Sequence, residues 1–443
     1  MENGIQVQSR NDLSPQISAP KVPRSLEELG IPEAVIENLI IKFLAAYPKS
    51  DLVFLSKSLG VITQIVSDIL ESLRKKSFVE VFEPSKKNTP TITISSSHIR
   101  YALSKLGADQ ADAAFIKDPY LGPVPVSLDY YIQIVESQDL RKNVIKRKDV
   151  EFALSDVRGA DKLVNVLGPA INSGRALLLY GHAGTGKSFV AARILNSLNS
   201  SVYIPFSVYA AGNTIKLYSE LHHRRVDTQH GEEHISLSAH YDKRWVLCER
   251  PNIQVGGELT MEMLEVNHTE HNRVWNAPLQ MMANNGILVI DDLGRQPMPV
   301  ATLLNRWIVP MEYFIDHLAL PNGQQVTIPF VLTMAFSTNL DPKKISDPAF
   351  LRRLGYKIMF TALEKFEYSA LLDEVANKNN LLIQPKAYED LFNLHELYNT
   401  GYFPCIPKDL LGICKDIIAF EDCSKEVSGE MIQRAWHLYF TND

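Results

Sequence analysis

The chain has 443 residues, 45% of them hydrophobic and 22% charged, with a formal net charge of −6. That length is too great for one ordinary domain, and the composition is globular rather than fibrous or low-complexity. The negative balance excludes a surface coated in basic groups for nucleic acid, though not a local basic patch.

The N-terminus lacks a basic region followed by an apolar run, so no signal peptide is visible, and no long uncharged apolar stretch could span a membrane. The four cysteines include no C-x-x-C pair, which argues against a disulfide framework or a zinc ribbon. Nothing near the evenly spaced Cys405, Cys414 and Cys423 supplies metal-ligand geometry. These features predict a reduced, cytoplasmic protein with no membrane partner.

Residues 1–22, rich in Ser, Gln, Asn and Pro, read as a disordered tail. Ser25 and Glu28 read as a capping box, and apolar positions then recur at helical spacing from Val35 to Leu44. Asp51 opens a second short helix that Gly60 ends, and a third runs from about Ile62 to Lys76. Residues 78–82 and 91–94, either side of a turn rich in Lys, Asn and Pro, read as a β-hairpin. The sum predicts a winged-helix-like α+β domain over residues 23–108. Residues 109–150 read as a linker, stiffened by the proline-rich stretch 118–127. From residue 151 short apolar runs alternate with helical segments, the pattern of an α/β domain with a parallel sheet extending to 360. Its clearest strands are 176–180, 202–205, 287–290, 331–337 and 357–360, and residues 361–443 read as a helical lid.

Residues 181–188, Gly-His-Ala-Gly-Thr-Gly-Lys-Ser, match G-x-x-x-x-G-K-[ST] in full, after an apolar strand and at the start of a helix. Gly181, Gly184, Thr185 and Gly186 let the backbone wrap close to a triphosphate, with amide N–H groups and the helix N-terminus aimed at its oxygens. Lys187 is placed to reach the β- and γ-phosphates and Ser188 to ligate Mg²⁺. The predicted cofactors are therefore ATP and Mg²⁺. Ile287-Leu-Val-Ile-Asp291-Asp292 is the partner motif: a buried strand delivering carboxylates at its C-terminal end, where ligands bind in open α/β sheets. Asp291 is expected to hold Mg²⁺, mostly through water, and Asp292 to polarise the attacking water.

Together these motifs, over roughly 150–443, resemble AAA+ ATPases. Asn339, in Phe-Ser-Thr-Asn-Leu, matches the family's sensor-1 position beside the γ-phosphate. Asp347-Pro-Ala-Phe-Leu-Arg352-Arg353 is similar to the element that supplies an arginine finger to the neighbouring subunit, with Arg353 the better match. Lys408 looks like the sensor-2 position in the lid. Three departures bear on turnover: Asp292 stands where most of the family has Glu, Lys408 where it has Arg, and Tyr356 where typical members have a second finger arginine. Lys cannot reproduce the bidentate contact of Arg.

About 100 residues separate Lys187 from Asp291, and the extra material lies within about 208–276. It contains His222, His223, His230, His234 and His240, which read as a solvated or partner-facing loop rather than a metal site. It also contains 250–259, which reads as a hairpin with a Gly-Gly turn. Asn322-Gly323 marks a second hairpin just before sensor 1. These two features resemble the MoxR-like and Mg-chelatase-like, helix-2-insert branch. The whole chain resembles a bacterial group of AAA+ ATPases proposed to act as chaperones. The resemblance implies a homo-oligomeric ring, most simply a hexamer, that remodels an unidentified protein client. Alternatives are a DNA-associated ATPase guided by the winged helix, or a nucleotide-dependent switch with very slow turnover. Residues 24–108 carry eleven Lys/Arg and nine Asp/Glu, 11 − 9 = +2, which is little positive charge for a DNA-binding module.

Overall fold

The computed structural model describes residues 19–82, 99–142, 144–194, 200–226, 241–268, 273–345 and 348–440. Residues 1–18 of the expected 1–22 tail, the 91–94 strand, and His230, His234, His240 and Asp347 lie outside them, while residues 19–22 are ordered, with Pro20 buried and its carbonyl accepting from the Asp242 N–H at 3.0 Å.

Ser25 caps the helix Leu26–Leu29 by accepting from the Glu28 amide, while the Glu28 carboxylate accepts from the Arg24 N–H at 2.6 Å rather than from Ser25. Asp51 caps Leu52–Leu59 through the Phe54 amide at 2.7 Å, and Gly60 ends that helix at a φ of 67°. Thr63–Lys75 follows and turns Ile65, Val66, Ile69, Leu70 and Leu73 inward. Ser50–Asp51, Arg100–Leu103 and Val79–Phe82 make a three-stranded antiparallel sheet in that order. The strand paired with Val79–Phe82 is thus Arg100–Leu103, which the sequence pattern did not single out.

Residues 109–150 are not a linker. Ser104 caps the helix Lys105–Lys117, and Tyr120 and Val124 beyond it pack into the core of the N-terminal helices. Val126–Ser127 then pairs in parallel with Ser207–Ala210, and Leu128–Ser137 buries Tyr131, Ile134 and Val135. Proline-rich composition reads as a spacer, but here Tyr120 and Val124, set among the prolines, find a core.

The central sheet has five parallel strands in the order Asn252–Val255, Ile287–Ile290, Thr333–Thr338, Leu177–Gly181, Tyr356–Phe360. Its inner strands are apolar on both faces because both faces are covered. Leu177, Leu179, Ile287 and Val289 enter one core, and Leu178, Leu288, Ile290 and Ile253 enter the other. Two expectations are corrected here. Ser201–Pro205 is not a member of this sheet but pairs antiparallel with Trp245–Glu249. The edge strand is Asn252–Val255, within the stretch that reads as a Gly-Gly hairpin. It alternates exposed Asn252 and Gln254 with buried Ile253 and Val255, as a one-sided edge strand does.

The inserted material joins Val126–Ser127 in a second sheet with the order Asn267–His268, Trp275–Asn276, Asn213–Lys216, Ser207–Ala210, Val126–Ser127. The predicted Asn322-Gly323 turn joins Ile315–Ala319 to Gln325–Pro329. The C-terminal helices Lys365–Lys378, Pro385–Leu397, Cys405–Glu421 and Gly429–Tyr439 surround Leu372, Leu391, Leu410, Leu411 and Trp436. The fold is therefore mixed α/β with a parallel sheet, an N-terminal α+β region and a helical C-terminal region, the class expected from the sequence. Among the described residues, no single helix is long and apolar enough to cross a membrane.

Candidate functional site

The Leu177–Gly181 strand ends where the chain turns over into the helix Lys187–Ile194. Gly181, Gly184 and Gly186 take φ values of 139°, 76° and 89°, a backbone that side-chain-bearing residues rarely adopt. Each glycine has a different reason. A Cβ at Gly181 would lie 2.1 Å from the Phe360 carbonyl oxygen, and one at Gly184 would lie 2.3 Å from Cys405 Sγ. Gly186 instead faces open space, with nothing within 4 Å of where its Cβ would be. Thr185 is buried and its hydroxyl donates to the His182 carbonyl at 2.8 Å, which closes the loop on itself.

Lys187 Nζ donates to three oxygens: Gly181 O at 3.0 Å, His182 O at 2.8 Å and Asn339 Oδ1 at 2.7 Å. Burial pushes its pKa below the ordinary lysine range, and the carboxylates of Asp291 and Asp292 oppose that fall. Asp291 ends the Ile287–Ile290 strand. Burial raises its pKa, but hydrogen bonds from the Ser188 and Ser337 hydroxyls, the Asp292 amide and Gln254 outweigh burial and leave the net shift downward. The Gln254 amide lies 2.9 Å from Asp291 Oδ2, and the Asp292 N–H lies 3.0 Å from Oδ1. Asp291 is therefore held ionised beside Ser188, two oxygens of the kind Mg²⁺ takes.

Asp292 sits at a φ of 48°, unusual for a residue with a side chain, and its carboxylate is half exposed, 3.7 Å from Arg295. The turn that holds it is braced from the next strand. Leu293 N–H donates to Ser337 O at 2.8 Å, and Thr338 Oγ1 donates to Leu293 O at 3.1 Å. Gln296 adds a clamp, its amide donating to Gly256 O and Asp291 O and accepting from Gly294 N–H. Gln254, Ser337 and Gln296 were not legible as site residues. Only the pairing of the 252–255 strand brings Gln254 to Asp291, and polar residues at strand ends are common.

The structure thus gathers residues 181–188, Asp291, Asp292 and Asn339 at the C-terminal edge of the sheet. Arg353 ends the helix Pro348–Arg353, and its Nε lies 3.3 Å from Glu312 on the helix Ile308–Tyr313. Lys408 is exposed near the start of Cys405–Glu421. That helix begins on the glycine loop itself: Cys405 N–H donates to Gly184 O at 3.3 Å, and the Phe403 ring lies 5.9 Å from that of His182.

A nucleotide phosphate fits these residues. An ammonium that spends its protons on carbonyl and amide oxygens can exchange them for phosphate oxygens, which make stronger charge-assisted bonds. The open space over Gly186 leaves the approach clear. Elsewhere among the described residues, no group of three or more His, Cys, Asp or Glu could hold a metal ion. His223, read from sequence as part of a solvated or partner-facing loop, is instead buried. It accepts from Ser219 N–H at Nδ1 and lies 3.0 Å from Met282 O at Nε2.

Residues 364–438 match a family model described only as a domain of unknown function (DUF8689). No curated protein matches. Among solved structures, the Thermotoga maritima RuvB Holliday junction branch migration motor is similar at 15% identity and a TM-score of 0.34, over 69% of this chain and 73% of that one. NtrX from Brucella abortus is similar at 11% identity and a TM-score of 0.40, over 76% of this chain and 62% of that one. Likenesses this distant carry nothing about chemistry, which the geometry of the site must supply.

Proposed function

We propose that this chain is an AAA+-type ATPase that binds and hydrolyses ATP–Mg²⁺, acting as a homo-oligomeric ring that remodels a protein partner. The observation that carries the reading is the joint placement of Lys187, Ser188, Asp291 and Asn339 around a glycine loop at the sheet edge. Lys187 and the loop amides bind the β- and γ-phosphates. Ser188 and Asp291 hold Mg²⁺, which supplies charge neutralisation when bound. Asp292 orients and polarises the attacking water, and Asn339 stands beside it. Arg353 serves a neighbouring subunit's nucleotide, exchanging Glu312 for phosphate oxygens on assembly. The first turn of the lid, with Lys408, rests against the loop and is placed to feel nucleotide exchange.

A protein client is favoured over DNA by charge: residues 24–108 carry eleven Lys/Arg against nine Asp/Glu. Helix-turn-helix proteins insert the N-terminal end of the second helix into the major groove. Here the first turns of Thr63–Lys75 carry Asp68 and no Lys or Arg before Arg74. The reading is tested by affinity capture with Asp292→Asn, which should bind ATP without hydrolysing it. Co-purification of a defined protein complex supports the reading, and co-purification of DNA fragments overturns it.

A further inference from the structure

The helix Glu33–Ala46, the end of Lys105–Lys117 and the hairpin of Ser207–Ala210 and Asn213–Lys216 enclose a cleft of about 160 Å³, distant in sequence from the glycine loop. Three cations line it, Lys42, Lys117 and Arg273, against one carboxylate, Asp118. Tyr209 and Trp275 bring aromatic surface to its lining. We propose that this cleft is a binding site for a small organic anion, a carboxylate carried on a planar apolar body.

The carboxylate of Asp118 is already engaged, since Oδ1 accepts from the Tyr120 N–H at 2.9 Å. Lys42 is 1% exposed, and its Nζ donates to Asp118 O and Tyr120 O, both at 2.6 Å. A lysine ammonium has three protons to give, and Asp118 Oδ2 at 4.0 Å is too far to take the third. Beyond these two acceptors the ammonium meets only Asp118 Oδ2 at 4.0 Å and the Phe115 ring at 5.8 Å among the described residues, and an anion in the cleft supplies a stronger third partner. Arg273 is held at a φ of 49°, a conformation that non-glycine residues keep where the surroundings enforce it, often at ligand sites. Volume sets the ligand's size. Drug-sized ligands occupy pockets of about 300 Å³ or more, whereas a cavity of about 150 Å³ holds benzene. A benzoate-sized anion matches that volume.

Benzoate is the probe, titrated into the full-length protein by calorimetry and by tryptophan fluorescence. Trp245, Trp307 and Trp436 are buried, so a saturable optical change reports on the partly exposed Trp275. Benzoate should bind saturably, and benzamide, its uncharged counterpart, should not. Arg273→Ala and Lys117→Ala, both milder than any change at Lys42, should each weaken benzoate about tenfold or more. Lys105→Ala, which removes an exposed cation outside the cleft lining, should not. Lack of saturable binding, equal binding of benzamide, or unchanged affinity in both cleft variants overturns the proposal.

Discussion

Lys187 Nζ donates to Asn339 Oδ1 at 2.7 Å, joining residues 152 positions apart. The strand order makes the contact, because Thr333–Thr338 lies between the glycine-loop strand and the acidic strand and delivers Asn339 between them. Asn339→Ala should leave ATP bound but lower kcat by about 10²-fold, the usual loss when one polar group aimed at developing charge is removed. Calorimetry paired with a turnover assay separates the two effects. Equal losses in affinity and kcat would mean that Asn339 merely holds Lys187 in place.

Asp291 is kept ionised by donors, and those donors can be removed. Ser337→Ala or Gln254→Leu takes away a hydrogen bond to the carboxylate, so its pKa should rise toward the ordinary aspartate range. The acid limb of the pH–rate profile should then move to higher pH, and more Mg²⁺ should be needed for half-maximal rate. The sign follows from linkage: a depressed carboxylate pKa favours the fold above the unfolded pKa and is lost as pH falls through the folded one. A profile that stays in place in both variants would show that Asp291 does not govern that limb.

Arg353 and Glu312 are paired within one chain, yet the proposed role of Arg353 is in another. Arg353→Ala should spare ATP binding and sharply reduce hydrolysis. Arginine fingers contribute roughly 10³–10⁵ in kcat in other phosphoryl-transfer systems, and a slow Asp292-limited basal rate would shrink the loss. Mixing Arg353→Ala with Lys187→Ala subunits should restore activity at interfaces that join an intact loop to an intact arginine. A monomeric Arg353→Ala protein with the normal rate would remove both finger and ring.

His223 gives the fold a pH dependence of its own. Burial pushes its pKa down to about 4, with a hydrogen bond to Met282 O opposing and the neighbouring His222 adding to the fall. Unfolded histidine titrates near 6.5, so the unfolded chain takes up the proton first and stability falls as pH drops from about 6.5 to about 4. The loss is on the order of 2–3 kcal/mol for this one group. His223→Gln should flatten the change in urea midpoint between neutral and mildly acidic buffer. An unaltered slope would assign the acid sensitivity elsewhere.

What could be read from the sequence was what short stretches decide. The glycine loop, the Ile287–Ile290 strand and the Asn322-Gly323 turn each carry their geometry in a few adjacent residues. What could not be read depends on pairing across the chain. Ile253 and Val255 look alike whether they form a hairpin arm or a sheet edge, and only the parallel register with the Ile287–Ile290 strand decides. The same pairing places Gln254 against Asp291. His223 looked solvated among polar neighbours because the Met282 carbonyl that buries and fixes it comes from 59 residues later.

The central claim is that residues 181–188 bind a nucleotide through Lys187. Titration calorimetry of ATP–Mg²⁺ into the wild-type chain and into Lys187→Ala tests it most directly. The account predicts a saturable isotherm for the wild type and none for the variant at the same concentrations, because no other group at the loop replaces the ammonium on the phosphates. Indistinguishable isotherms for the two proteins would contradict it.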